Sequence, residues 1–424
     1  MYLFFVRHFN DIDHITPVIW RMAQDNYPVA VYCLNPKYDI QGDYRLNFLK
    51  KCGVQVDYIY NEGRQNFGLM HRMIQFLFFL SFAAKRQLEK SSRPPFSYFK
   101  KMIAKQSQII GNRLYSFAKT KYYTVKWASN LLQKKRAKAL CFDWVEPQNS
   151  VVNVLLKSAN KMSIPKFALP HGVFVFTNDR ITFDYKPLET FDPSNQYDCV
   201  VVQNERFLEF LTHSGLDIKK IFVLGSARYC NEWILQNKRI LPRVYASRAD
   251  DSDKLKLVLM TTKLRYRVHV DQLMTTLEIL SEFEGIDIVI KPHTRTGKES
   301  NFFDNVSIPL AADVSSVELC EWADAVLVIG SSIILESLIQ GKPVLYLKYL
   351  HENTTIYEEY EACWIVKSEA ELINALNSLK RSKNDVPYLD ANVQRFISEI
   401  VFNGGVERDI LGDYEALIVN FKKK

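Results

Sequence analysis

Short apolar runs alternate with longer amphipathic stretches along this chain, and a polar cluster follows almost every run. Tyr2–Val6, Val29–Leu34 and Val56–Tyr60 are rich in β-branched and aromatic residues and predict buried strands. Between them, Asp13–Asp25 and Tyr44–Lys51 predict helices. Strand, helix, strand, helix, strand is the opening of a doubly wound parallel sheet. The rhythm resumes with strands at Ala137–Phe142, Lys166–Leu169, Asp198–Val202 and Ile221–Leu224, and with helices at Gln148–Lys161 and Glu205–Ser214. A second alternation begins at Leu255. It predicts strands Leu255–Met260 and Ile286–Ile290, helices Val270–Glu284 and Glu369–Lys380, and a closing helical region. Ser315 precedes a further short helix, with Glu318 at the position that closes a capping box. The pattern predicts an α/β protein built from two similar domains.

The stretch Val326–Leu347, VLVIGSSIILESLIQGKPVLYL, carries the most information. Val326–Ile329 predicts a buried strand, Gly330-Ser331-Ser332 a tight turn, and Ile333–Gln340 a helix that Gly341 ends. Pro343 leads into a second buried strand, Val344–Leu347. The turn gathers the hydroxyls of Ser331 and Ser332 and several backbone N–H groups at a helix start, an arrangement suited to phosphate. Glu336 reads either as a solvated carboxylate beside Gln340 or as a ribose ligand. The motifs around it favour the ribose.

Other polar clusters also fall just after strands. They are Arg7-His8, then Asp143, Trp144 and Glu146, then Pro170-His171-Gly172 and Gly225-Ser226-Ala227-Arg228. In the second half they are Thr261-Thr262-Lys263 and Lys291-Pro292-His293-Thr294-Arg295. The C-terminal edge of a parallel sheet faces the ligand crevice, so these clusters predict one functional edge per domain. His8 reads equally well as a cap of local structure. Lys291, His293 and Arg295 supply the positive charge and hydrogen bonds that a departing nucleotide phosphate needs. A histidine suits the task of a base that takes the proton of an acceptor hydroxyl, and His171 is the candidate. Asp143 or Glu146 would orient its imidazole or replace it as the base.

Length and charge refine this picture. A chain of 424 residues exceeds one ordinary core. We divide it into a first domain, 1–235, a polar linker, 236–254, and a second domain, 255–424. Hydrophobic content of 47% excludes a disordered chain. The seven cysteines form no C-x-x-C pair and no Cys/His cluster, which predicts neither zinc nor disulfides and suits a reducing cytosol. Met1 leads directly into a strand, so no signal peptide is expected. Net charge is +8, yet Lys85–Lys138 alone carries +14, leaving −6 for the remainder. That segment interleaves its cations with aromatics such as Phe96, Tyr115 and Trp127. We read a basic helical insertion at about 67–138 whose part 85–138 meets an anionic membrane surface. Met73–Ala84 is too short to span a bilayer and predicts a buried helix. No nucleic-acid-reading motif accompanies the charge, so a nucleic-acid partner is not expected.

Taken in order, several clusters resemble motifs of the GT-B-type transferases of bacterial surface polysaccharides. This group includes capsule and lipopolysaccharide glycosyltransferases and CDP-glycerol glycerophosphotransferases. His171-Gly172 resembles the family's HG motif, and Gly225-Ser226-Ala227-Arg228-Tyr229 its G-x-P-R segment, with Ala227 where proline is common. Lys291-Pro292-His293 resembles its second histidine motif. Ala323-Asp324-Ala325-Val326, Ser331-Ser332 and Glu336 resemble its A-D-x-[VL]…S-S…E block. Asn403-Gly404-Gly405 with Arg408 resembles its late glycine-arginine region, shortened and lacking the acid. Ile329-Gly330 stands where the glycerophosphotransferases carry Asp-Tyr, and Thr294 where they carry proline, which favours a sugar donor.

The resemblance implies two Rossmann-like domains facing a cleft, with the nucleotide in the second and the acceptor in the first. It implies donor contacts from Thr262, Lys263, Lys291, His293, Arg295, Ser331, Ser332 and Glu336. Catalytic roles fall to His171, Glu146 and Asp143, and acceptor or phosphate contacts to Arg7, His8, Arg228 and Arg408. No D-x-D motif stands in a metal position, and neither metal nor cofactor is expected. The expected partners are a CMP-, CDP- or UDP-linked donor and a glycan or lipid-linked acceptor, at the inner face of the cytoplasmic membrane. Glycosyl transfer is the leading reading. Transfer from a CDP-alcohol, non-hydrolysing sugar-nucleotide epimerisation and a non-catalytic binding module stay open beside it.

Overall fold

The computed structural model of the chain describes residues 1–64, 122–144, 150–173, 175–177, 195–245, 253–293, 302–303, 306–405 and 408–422, with Gln106, Ile109 and Arg113. Glu146, Arg295, the apolar run Met73–Ala84 and most of the basic segment before Tyr122 lie outside the described residues.

Two parallel sheets form the frame. The first contains β1 (Tyr2–Val6), β2 (Val29–Cys33), β3 (Gln55–Tyr58), β4 (Ala139–Asp143), β5 (Lys166–Leu169), β6 (Cys199–Val202) and β7 (Ile221–Val223), in the order β3-β2-β1-β4-β5-β6-β7. The second contains β8 (Leu255–Met260), β9 (Ile286–Lys291), β10 (Ala325–Val328), β11 (Val344–Leu347) and β12 (Trp364–Val366), in the order β12-β11-β10-β8-β9. β1, β2 and β4 are buried at every position, because helices cover both faces, and this explains their unbroken apolar sequence. The doubly wound α/β class read from the sequence is therefore the observed one.

Each sheet reverses its winding once. The first does so between β1 and β4, and the second between β8 and β10. At such a point adjacent crossovers leave in opposite directions, and a crevice opens at the carboxyl ends of the two strands. Arg7 and Trp144 follow the first pair. Thr261 and Gly330 follow near the second.

Several boundaries differ from the expected ones. The first helix spans Phe9–Gln24 and starts four residues before Asp13. Asp11, at its third position, accepts from the backbone N–H groups of Arg7 at 2.8 Å and His8 at 3.0 Å, and so fixes the earlier start. β3 stops at Tyr58 because Ile59–Arg64 turns helical, with Ile59 buried in the core. The linker expected from Gln236 begins later, since Asn231–Ile240 is a helix anchored by buried Trp233 and by Tyr44 Oη on Asn237 Oδ1 at 3.0 Å. Glu318 closes no capping box. Ser315 Oγ accepts from Val317 N at 3.2 Å, while the Glu318 carboxylate accepts from the backbone of Tyr245. β12 and the short helix Ile356–Glu359 were not expected from the sequence.

Three apolar cores result. One fills one face of the first sheet, from Tyr32 to Val202, under Trp127, Leu131 and Leu155, and another lies under Leu273, Leu277 and Leu376 on the second sheet. The third is continuous between the halves. It joins Phe4, Ile15 and Trp233 to Val326, Tyr346 and Phe396, and includes Ile410, Tyr414 and Ile418 of the last helix, Ile410–Asn420. That helix lies on the first helix, where Arg21 pairs with Asp409 at 3.2 Å and Glu415 at 3.6 Å. Among the described residues no helix is long and apolar enough to cross a membrane.

Candidate active site

The reversal of the first sheet is filled by charge. Arg7 leaves β1 and sends its guanidinium across to Asp143 at the end of β4, with Nε 3.1 Å from each carboxylate oxygen. Arg7 Nη2 also donates to Asp143 Oδ2. Asp11 stands on the other side of the guanidinium, 3.7 Å from Nε. His171, after β5, brings Nδ1 to 3.5 Å from Asp143 Oδ2, a close electrostatic contact without the alignment of a hydrogen bond. The Trp144 ring holds the imidazole edge-on at 5.3 Å, and its own Nε1 donates to Val201 O at 2.9 Å.

Two carboxylates share one guanidinium here, and their environments split them. Burial pushes the Asp11 carboxyl up to about 6, with Asp143 adding to the rise. Burial acts on Asp143 in the same sense, but Arg7 and then His171 outweigh it and hold that carboxyl below its ordinary value. Asp143 is thus the ionised member, which suits it to orient an imidazole. Asp11, Asp143 and His171 offer atoms within 4.8 Å of one another, a spacing one cation could bridge. In this arrangement the Arg7 guanidinium supplies the positive charge at Asp143.

A second chain of charges leads away from the first helix. Asp13 accepts from Arg45 Nη1 at 2.8 Å and pairs with Arg228 Nε at 2.7 Å. Arg228 stands in the turn Ala227–Tyr229 after β7, over the Tyr229 ring. Its Nη2 reaches to 4.0 Å from Glu336 Oε2. Arg228 belongs to the first sheet's edge and Glu336 to the second's, so this pair crosses between the halves.

At the second sheet's edge, Thr261 Oγ1 accepts from His293 N at 3.1 Å and donates to Lys291 O at 3.4 Å, stapling the ends of β8 and β9. Thr262 is buried beside it, and Lys263 lies 5.5 Å from the Tyr266 ring centroid. The Lys291 side chain turns inward. Its ammonium donates to Ala312 O at 2.6 Å and Ala311 O at 3.3 Å, and burial lowers it to about 8. After β10, Gly330 adopts φ +55°, and a Cβ there would lie 3.1 Å from His351 Nε2 and 3.3 Å from Phe176. Ser331 and Ser332 follow, and Ser331 Oγ accepts from Ile333 N at 3.4 Å. The helix proper is Ile334–Ile339. Glu336 is no solvated residue. It is 4% exposed, accepts from Gln340 Nε2 at 2.7 Å, and burial raises its carboxyl.

The segment after His171 ties the two edges together. Ile356 N donates to Val175 O at 2.9 Å and Thr177 N to Thr354 O at 3.0 Å, an antiparallel bridge between Phe176 and Thr355. The fold therefore gathers Arg7, Asp143 and His171 on one side, and Thr262, His293, Ser331, Ser332 and Glu336 on the other, with Arg228 between. His8 is the N-cap of the first helix, its ring 3.3 Å from Asn35 Nδ2. Arg408 stands apart. It pairs with Asp413, and its neighbour Asp409 meets Arg21, roughly 18 Å along the first helix from the Arg7 end. Asp11 and Asp13 were missed by the sequence reading. An acid three residues after His8 is a capping signal that could have revealed Asp11.

No protein-family model and no curated protein matches the chain. Solved structures do resemble it. The UDP-GlcNAc 2-epimerase of Methanocaldococcus jannaschii, in complex with UDP-GlcNAc and UDP, superposes with a TM-score of 0.51 at 16% identity, over 94% of this chain and 98% of that one. The UDP-GlcNAc 2-epimerase of Neisseria meningitidis, bound to UDP-GlcNAc, gives 0.51 at 15% identity over 99% and 100%. The glycotransferase of kitacinnamycin gives 0.52 at 12% identity over 99% of each chain. These likenesses show the fold: two Rossmann-like domains in the GT-B arrangement.

Proposed function

We propose that the protein is a nucleotide-sugar-dependent glycosyltransferase that builds a cell-surface glycan or extends a lipid-linked acceptor. The observation that carries this reading is the pairing of His171 with ionised Asp143 at the switch point of the first sheet, in a loop bridged to the second sheet's edge. With Asp143 facing Nδ1, the Nε2 lone pair is left to act as base. The acceptor hydroxyl oxygen forms its bond to the anomeric carbon as its proton passes to His171. The bond from that carbon to the phosphate oxygen breaks, and the nucleotide leaves with the electron pair. Ser331, Ser332 and His293 would contact the phosphates, and Glu336 the ribose. Arg7 would steady the charge that develops. The basic segment 85–138 would bring the enzyme to an anionic membrane bearing its acceptor.

A second reading, epimerisation of a nucleotide sugar without any acceptor, is favoured by the two buried carboxyls around Arg7 and by the epimerases among the similar folds. One experiment separates the two. UDP-, CDP- and CMP-linked sugars are incubated in deuterated buffer with and without a lipid-linked acceptor. Nucleotide release that requires acceptor supports transfer. Deuterium entering the sugar without acceptor supports epimerisation. Release of CMP from a CDP-alcohol, with the alcohol phosphate passing to the acceptor hydroxyl, and no release from the nucleotide sugars, would favour polyol-phosphate transfer.

A further inference from the structure

Arg228 has five N–H donors, and its Nε stands 2.7 Å from Asp13 Oδ2 in an ion pair. Among the described residues its terminal nitrogens hold no hydrogen bond, and the carboxylate oxygen Oε2 of Glu336 is 4.0 Å from Nη2. Glu336 is in the same condition: Oε1 accepts from Gln340, while Oε2 faces Arg228. A separation of 4.0 Å is too long for a direct hydrogen bond, but an oxygen about 2.8 Å from each group fits between them. That oxygen must accept from a guanidinium and donate to a carboxylate at once. An anion would be repelled by Glu336 and a cation by Arg228. A hydroxyl satisfies both, and a vicinal diol does so while leaving a second hydroxyl for the same carboxylate.

We propose that Arg228 and Glu336 form a two-sided clamp for the ribose diol of the nucleotide, with Asp13 as the residue that positions Arg228. The proposal rests on the reading of Glu336 as the ribose residue, and adds to it a partner from the opposite half. Asp13 is itself fixed by Arg45, which Asp43 holds through Nη2 at 2.6 Å, so the guanidinium of Arg228 is aimed before any ligand arrives. The Tyr229 ring, 4.7 Å from the guanidinium carbon, prevents it from swinging away. The ribose would therefore be gripped by both halves, and nucleotide binding would draw them together.

The test compares dissociation constants for UDP and 2′-deoxy-UDP, and for CDP and 2′-deoxy-CDP, on the full chain. The parent should prefer the ribonucleotide by about tenfold or more, the worth of a hydrogen bond to a charged group. Arg228→Gln and Asp13→Asn should each shrink that preference toward one. The ratio is measured on folded protein alone, so partial unfolding cannot imitate the effect. Should Glu336→Gln lose the preference while Arg228→Gln keeps it, the clamp is wrong and the Glu336 reading stands. Should Glu336→Gln keep it too, both fall. An absence of nucleotide binding to the parent would overturn the proposed function with them.

Discussion

Arg7 and Asp143 stand 136 residues apart in sequence and lock the ends of β1 and β4 together through both carboxylate oxygens. The arginine is partly accessible and the carboxylate fully buried, with side-chain exposures of 23% and 0%. Breaking a buried pair by removing one partner leaves the other charge uncompensated. Asp143→Asn should therefore cost about 3 kcal/mol or more of stability, read as a lowered denaturant midpoint. The same substitution removes the charge facing His171 and should lower turnover beyond any loss of folded protein. Turnover per folded molecule equal to the parent's would remove Asp143 from the mechanism.

His171→Ala should reduce turnover roughly 100- to 10,000-fold, with donor affinity little changed. Stopped assays and equilibrium nucleotide binding, run on the same preparation, check both halves of that statement. If turnover survives there but collapses in Glu146→Ala, the carboxylate is the base.

Glu336→Ala should weaken nucleotide binding by roughly ten- to hundredfold, since it deletes a charged hydrogen-bond acceptor. Calorimetric titration of UDP and CDP checks this. Binding as tight as the parent's would refute the ribose role.

Lys291 predicts a pH signature. Its ammonium sits near 8 in the fold, below its ordinary 10.5, because burial disfavours the charge. Between those values the folded chain has released a proton that the unfolded chain still holds. Stability should thus rise with pH across this interval, by up to about 3 kcal/mol, and stay flat with respect to this group below it. Lys291→Met should abolish that rise in melting experiments at stepped pH. An unchanged slope in the variant would show that other groups cause it.

The basic segment 85–138 predicts binding to vesicles that contain anionic lipid, weakening as salt screens the attraction. Co-sedimentation with neutral and anionic vesicles tests it. Equal binding to both, or to neither, would eliminate the membrane role.

The frame was legible where burial on both faces leaves an unbroken apolar run, as in Tyr2–Val6 or Val344–Leu347. The placement of His171, Ser331 and Arg228 just after strands was legible for the same reason, since a parallel sheet puts all such loops on one edge. Asp13 was not, because its meaning lies in distant partners: it meets Arg45 and Arg228, which only the folded topology brings to it. The inward turn of Lys291 was hidden because its acceptors are backbone carbonyls of Ala311 and Ala312, groups every residue owns. β12 is three residues long, too short for any periodicity to announce.

The contact of the last helix with the first sets a schedule for synthesis. Arg21 and its partner Asp409 are 388 positions apart, and a ribosome adding about 5–20 residues per second needs roughly 20 to 80 seconds to join them. For that time Ile12, Ile15 and Ile19 lack Ile410, Tyr414 and Ile418, their eventual neighbours in one core. The half that emerges first is thus finished last, and its apolar helix must be shielded, by transient collapse or by a chaperone, until the far end of the chain arrives.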